Sequence, residues 1–108
     1  MNQQVEVLTL QQDLKAGILP EFQQDIALVM QSGVKIVVVD CKNITFLDSS
    51  GLGTLVLAFK TLKDAGIRMV LCSINEQVRM IFELTSMNQI FEIFPSQDDF
   101  HEVLLAKN

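Results

Sequence analysis

The amino-acid sequence predicts an α/β domain, a sheet of about four mostly parallel strands with alternating helices. Three observations carry this expectation. The chain has 108 residues, enough for one core; two domains of about 50 residues each would be marginal without staples. Its composition is globular, 49% apolar and 19% charged, which is too hydrophobic for a disordered chain. Along the sequence, strand-like runs alternate with segments whose apolar residues recur at helical spacing.

The elements follow in order. Val5-Glu6-Val7-Leu8-Thr9-Leu10 reads as a strand with its apolar positions mainly on one face. From Ile18 to Met30, the residues Ile18, Leu19, Phe22, Ile26, Val29 and Met30 mark a helix. Pro20 sits in its first turn, where the missing N–H does no harm, and Gly33 supplies the stop. Ile36-Val37-Val38-Val39 is a continuous β-branched run, as a strand buried on both faces requires. After Asp48-Ser49-Ser50-Gly51, the residues Leu52, Leu55, Val56, Phe59 and Leu62 predict a second helix ending near Ala65-Gly66. Met69-Val70-Leu71-Cys72 is another buried strand, and a third helix is predicted from about Asn75 to Met87. Ile90 to Phe94 reads as a short strand. Asp98 and Asp99 then open a last helix, with their charges suitably near its N-terminus. The order βαβαβαβα implies parallel crossovers.

Composition narrows the function. Thirteen acidic against eight basic side chains give a formal charge of −5, which argues against direct nucleic-acid binding through phosphates. No apolar run approaches a membrane span, and the polar start Met1-Asn2-Gln3-Gln4 lacks the features of a signal peptide. A cytoplasmic protein without membrane insertion is the expectation. Cys41 and Cys72 form no C-x-x-C pair and sit in or beside apolar strands, so they read as buried structural thiols. His101 has no Cys or His near it in sequence, and neither a metal site nor histidine-dependent catalysis is expected.

Ligand and partner sites in α/β domains gather beyond the carboxyl ends of strands, here Gln11 to Gly17, Asp40 to Gly53 and Ser73 to Glu76. The middle loop is the most informative. Asp48-Ser49-Ser50-Gly51-Leu52-Gly53-Thr54 places two hydroxyls and two glycines where a helix starts. Such a terminus suits an anion, and equally suits a serine cap with glycines allowing close backbone approach. A Walker loop would need a lysine after Gly53, G-x-S-x-G is absent, and Gly51-Leu52-Gly53 lacks the later glycine of a dinucleotide fingerprint. No cofactor is expected.

Ile36-Val37-Val38-Val39-Asp40, the spaced Ile44 and Phe46, and Asp48-Ser49-Ser50-Gly51-Leu52-Gly53 together resemble the STAS domain of bacterial anti-sigma-factor antagonists. Gly66, the strand from Met69 to Ser73, and Val78 through Leu84-Thr85 to Ile90-Phe91 extend the resemblance over residues 5 to 104. It implies one STAS domain over 1–108, without a cofactor, acting as a binding module and not as an enzyme. It further implies a partner-switching role. An anti-sigma factor with histidine-kinase-like serine kinase activity phosphorylates Ser49, the first serine after the aspartate. The unmodified form binds that factor, and a PP2C-type serine phosphatase restores it.

The partner surface is then expected at Asp48, Ser50, Gly51, Leu52, Gly53 and Thr54, with Leu14 and Lys15 beside them. Ser49 is placed at the helix N-cap, its hydroxyl toward solvent. The family turn Gly-x-Leu-Asp aligns with Gln12-Asp13-Leu14-Lys15, so Lys15 reverses a charge beside that surface. About ten residues precede this turn, leaving little room for the additional first strand common in the family. Two other readings stand beside this one. One is a STAS scaffold or transporter-associated subunit unregulated by phosphate; the other is a two-component receiver using Asp40.

Overall fold

A computed structural model describes residues 5–11, 13 and 19–106; Leu14 and Lys15 lie outside the described residues. Four strands, β1 (Val5–Thr9), β2 (Ile36–Asp40), β3 (Arg68–Cys72) and β4 (Glu92–Phe94), form one sheet. All three pairings are parallel, and the spatial order β1-β2-β3-β4 follows the chain. The helices are α1 (Leu19–Gln31), α2 (Ser49–Asp64), α3 (Glu76–Leu84) and α4 (Gln97–Ala106).

Right-handed crossovers that all step the same way place their helices on the same side of a sheet. The packing agrees. Val37, Val39, Met69 and Leu71 share one core with Phe22 and Ile26 of α1, Leu55 and Leu62 of α2, and Val78 and Phe82 of α3. The alternate residues Ile36, Val38, Val70 and Cys72 face the opposite side, where α4 covers them with Phe100 and Leu104. Burial on both faces explains why β2 and β3 are continuous apolar runs. Phe100 is 0% exposed, lies edge-on to Phe94, and carries the Arg68 guanidinium over its ring at 5.4 Å. Arg68 is held in turn by an ion pair with Glu92 across the β3–β4 boundary.

Two element boundaries differ from the sequence expectation by two residues or more. The third helix stops at Leu84, not near Met87. Ser86 adopts a left-handed conformation, φ 62°, and the chain turns through a short 3₁₀ segment at Met87–Gln89. That segment takes the amides of Ile90 and Phe91 onto the Met87 carbonyl, so β4 starts only at Glu92. At the end of α2 the expected stop holds. Gly66, at φ 80°, directs its own amide to the Lys63 carbonyl and that of Ile67 to Leu62, closing the helix by a Schellman motif.

Cys41 and Cys72 are free and buried, one in each of the two cores. Burial pushes the Cys41 thiol up to about 12, with Cys72 and Asp40 adding to the shift, and burial raises Cys72 as well. Both thiols are therefore expected to resist a thiol-specific chromogenic reagent in the native protein at pH 8 and to titrate fully in guanidinium. Because the folded state holds these protons more tightly than the unfolded one, their contribution is intact below the ordinary thiol value. Stability should fall as the pH rises above about 9, in urea titrations at stepped pH.

Candidate functional site at the carboxyl edge of the sheet

The register assembles the site. Thr9 pairs with Asp40, Asp40 with Cys72, and Cys72 with Phe94, so all four strands end level with one another. The loops that follow emerge side by side, and side chains tie three of them together. Asp13 accepts through Oδ1 from the backbone amides of Thr45 at 2.6 Å and Phe46 at 3.2 Å, and through Oδ2 from the Thr45 hydroxyl. From the third loop, the Asn75 side-chain amide donates to the Thr45 carbonyl at 3.4 Å. The same Asn75 caps α3, accepting from the Val78 amide at 2.8 Å.

At the start of α2, Asp48 takes the cap. Its backbone is extended, and its Oδ1 accepts from the Gly51 amide at 2.8 Å while its carbonyl accepts from Leu52. The expectation that Ser49 caps the helix is therefore corrected: Ser49 is the first residue of the helix and Asp48 does the capping. A carboxylate accepts as well as a hydroxyl here and adds charge at the positive end of the helix. Relieved of that task, the Ser49 and Ser50 side chains are both exposed. Their backbone amides lie at the N-terminal end of α2, a favourable place for added negative charge.

The turn divides by helical periodicity. Gly51, Thr54 and Leu55 face inward with Ala58 and Leu62, whereas Ser49, Ser50 and Gly53 face out. Thr54, expected on the partner surface, is only 9% exposed and looks toward α1, where it lines an apolar groove with Phe22, Ile26 and Leu57. Leu52, also expected on the partner surface, is half-buried and packs against the core. Gly53 is open: a Cβ built there meets nothing within 4 Å. Gly53→Lys should consequently leave the melting temperature unchanged or slightly raised, since glycine inside a helix costs about 0.5–1 kcal/mol. It should weaken any partner that covers this turn by about tenfold or more, read by titration calorimetry.

Asp40 does not suit the receiver reading. It is 2% exposed, and its carboxylate accepts from the Lys42 amide and from Gln97 of α4, which seals it from an incoming phosphoryl group. Two residues quoted from the sequence were not expected on the partner surface. Asp13 holds the Thr45–Phe46 backbone at this surface, and Phe46, three residues before Ser49, is 47% exposed. Among the described residues, no group of three or more His, Cys, Asp or Glu side chains converges as a metal site requires. No described helix is long and apolar enough to cross a membrane.

The family model described as the STAS domain matches residues 1–100. The chain belongs to the STAS domain family. Among its relatives is an anti-sigma-B factor antagonist of Staphylococcus aureus, 23% identical over 81 residues, or 75% of each chain. The fold matches that of the anti-sigma factor antagonist SpoIIAA in its unphosphorylated form, with a TM-score of 0.75 and 18% identity over 95% of this chain and 90% of that one. The STAS domain of a SulP transporter from Vibrio cholerae is equally superposable, with a TM-score of 0.79 and 17% identity over 99% and 85% of the two chains. This STAS domain thus shares its architecture with regulators and with transporter domains alike.

Proposed function

We propose that this STAS domain is an anti-sigma-factor antagonist whose binding is controlled by reversible phosphorylation of Ser49. It acts as a binding partner and a kinase substrate, with no chemistry of its own. One observation carries the reading: Asp48 supplies the cap, leaving the Ser49 hydroxyl exposed on the first residue of α2. A phosphate added there brings roughly −1.5 to −2 charges to the positive end of a helix, which accommodates them without unfolding. The naming of its relatives as antagonists supports the same role. The partner is an anti-sigma factor with serine kinase activity, and a PP2C-type phosphatase returns the protein to its binding form. Ser50 and Gly53 complete the surface that the partner covers, with Asp48 holding the turn's shape through the amide of the buried Gly51. All of this takes place in the cytoplasm, where sigma factors act.

The test is phosphorylation by the purified anti-sigma factor kinase of the source organism, followed by peptide mapping. Label is expected on the peptide containing Ser49, lost in Ser49→Ala and kept in Ser50→Ala. Label that persists in Ser49→Ala and disappears in Ser50→Ala would overturn the assignment. The likeness to a transporter STAS domain favours a second reading, a scaffold unregulated by phosphate. Complete absence of kinase binding and of phosphoserine would support it.

A further inference from the structure

The loop between β2 and α2 gives most of its apolar residues to the core. Cys41, Ile44 and Leu47 are 1–2% exposed, yet Phe46, between two of them, remains 47% exposed. Single exposed apolar side chains are ordinary on protein surfaces and by themselves say nothing. Phe46 differs in how its backbone is held. Its amide and that of Thr45 both donate to Asp13, the Thr45 hydroxyl joins them, and Asn75 grips the Thr45 carbonyl from the other side. Buried neighbours at 44 and 47 fix the chain before and after. An aromatic ring is therefore presented on a rigid base, three residues from Ser49 and at the same edge of the sheet.

Rigid presentation matters because ordering a loop upon association subtracts from affinity. Aromatic side chains, Phe among them, are enriched at the buried centre of interfaces, where a few well-packed residues carry most of the binding energy. From this geometry we propose that Phe46 is the apolar anchor of the Ser49 surface and that Asp13 is the positioning residue that presents it. The occupant is a protein, the anti-sigma factor, offering a socket for one phenyl ring beside the cleft that receives the serine. The proposal rests on the reading of Ser49 given above. It adds that recognition is apolar at one point and that the first loop acts through the second.

The experiment titrates the purified anti-sigma factor kinase of the source organism against the full chain by calorimetry and follows Ser49 phosphorylation in parallel. Phe46→Ala should weaken binding by about tenfold or more. Its melting temperature should stay within about 2 °C of the wild type, as for other exposed positions. Asp13→Ala should weaken binding comparably and speed hydrogen exchange at the Thr45 and Phe46 amides. Asp13→Asn keeps an oxygen able to accept from both amides, and should restore affinity and exchange protection. A merely structural aspartate would lower the melting temperature without this paired response. Wild-type affinity in Phe46→Ala overturns the anchor while the Ser49 reading stands. Wild-type affinity in Asp13→Ala, or no rescue by Asp13→Asn, overturns the positioning role. Failure of the wild type to bind or to be phosphorylated overturns both inferences together.

Discussion

Ser49→Asp is expected to fold like the wild type and to bind the anti-sigma factor more than a hundredfold more weakly, a loss of about 3 kcal/mol. The two halves of this result have separate causes. A carboxylate on the first residue of α2 meets the positive end of the helix dipole, worth about 0.3–1 kcal/mol in its favour. The same charge, driven into an interface that covers this turn, must shed its water without a prepared counter-charge. Circular dichroism and thermal melting read the first effect, and calorimetric titration reads the second. Retained affinity in Ser49→Asp, together with retained affinity of the genuinely phosphorylated protein, would remove the switch from this serine.

Phe100→Ala is expected to have the largest effect on stability. The ring is fully buried and closes the smaller core together with Phe94, Leu104 and the alternate residues of β2 and β3. Truncating a buried aromatic costs about 3–5 kcal/mol, against about 5–15 kcal/mol of total stability for a typical domain. The melting temperature should fall by more than about 10 °C. Leu105→Ala, further along the same helix but exposed, should change stability by less than about 0.5 kcal/mol. Equal losses at the two positions in urea denaturation would mean that α4 contributes through helix formation and not through its packing.

The sheet was legible in the sequence because its signal is physical and local. Ile36 to Val39 and Met69 to Cys72 are buried on both faces, so no polar residue interrupts them. The stop at Gly66 was equally legible, since the left-handed backbone there favours glycine. The end of α3 was not: Ser86 takes the same backbone region without being glycine or asparagine, and no composition marks it. At the candidate site, Asp-Ser-Ser offers three residues able to cap, and only the bond from Asp48 to the Gly51 amide selects one. The inward turn of Thr54 was readable from its spacing with Leu55, Ala58 and Leu62, but its place in the motif drew it to the surface. Asp13 left no local trace, because its hydrogen bonds reach 32 and 33 residues along the chain.

The agreement between strand order and chain order has a consequence for how the molecule is assembled. No strand has to be inserted between two that are already paired; the sheet grows at one margin, and that margin is always the most recent strand. Each addition spans only one helix, which keeps the loops to be closed short. One face can thus be covered as fast as the chain is made. The other cannot, because Ile36, Val38 and Val70 wait for Phe100 and Leu104 of α4, which follows all four strands along the chain. Gln97, reaching back 57 residues to Asp40, joins that final layer to the strand that precedes the serine turn. Helix α4 thereby seals the underside of the platform on which Ser49 stands.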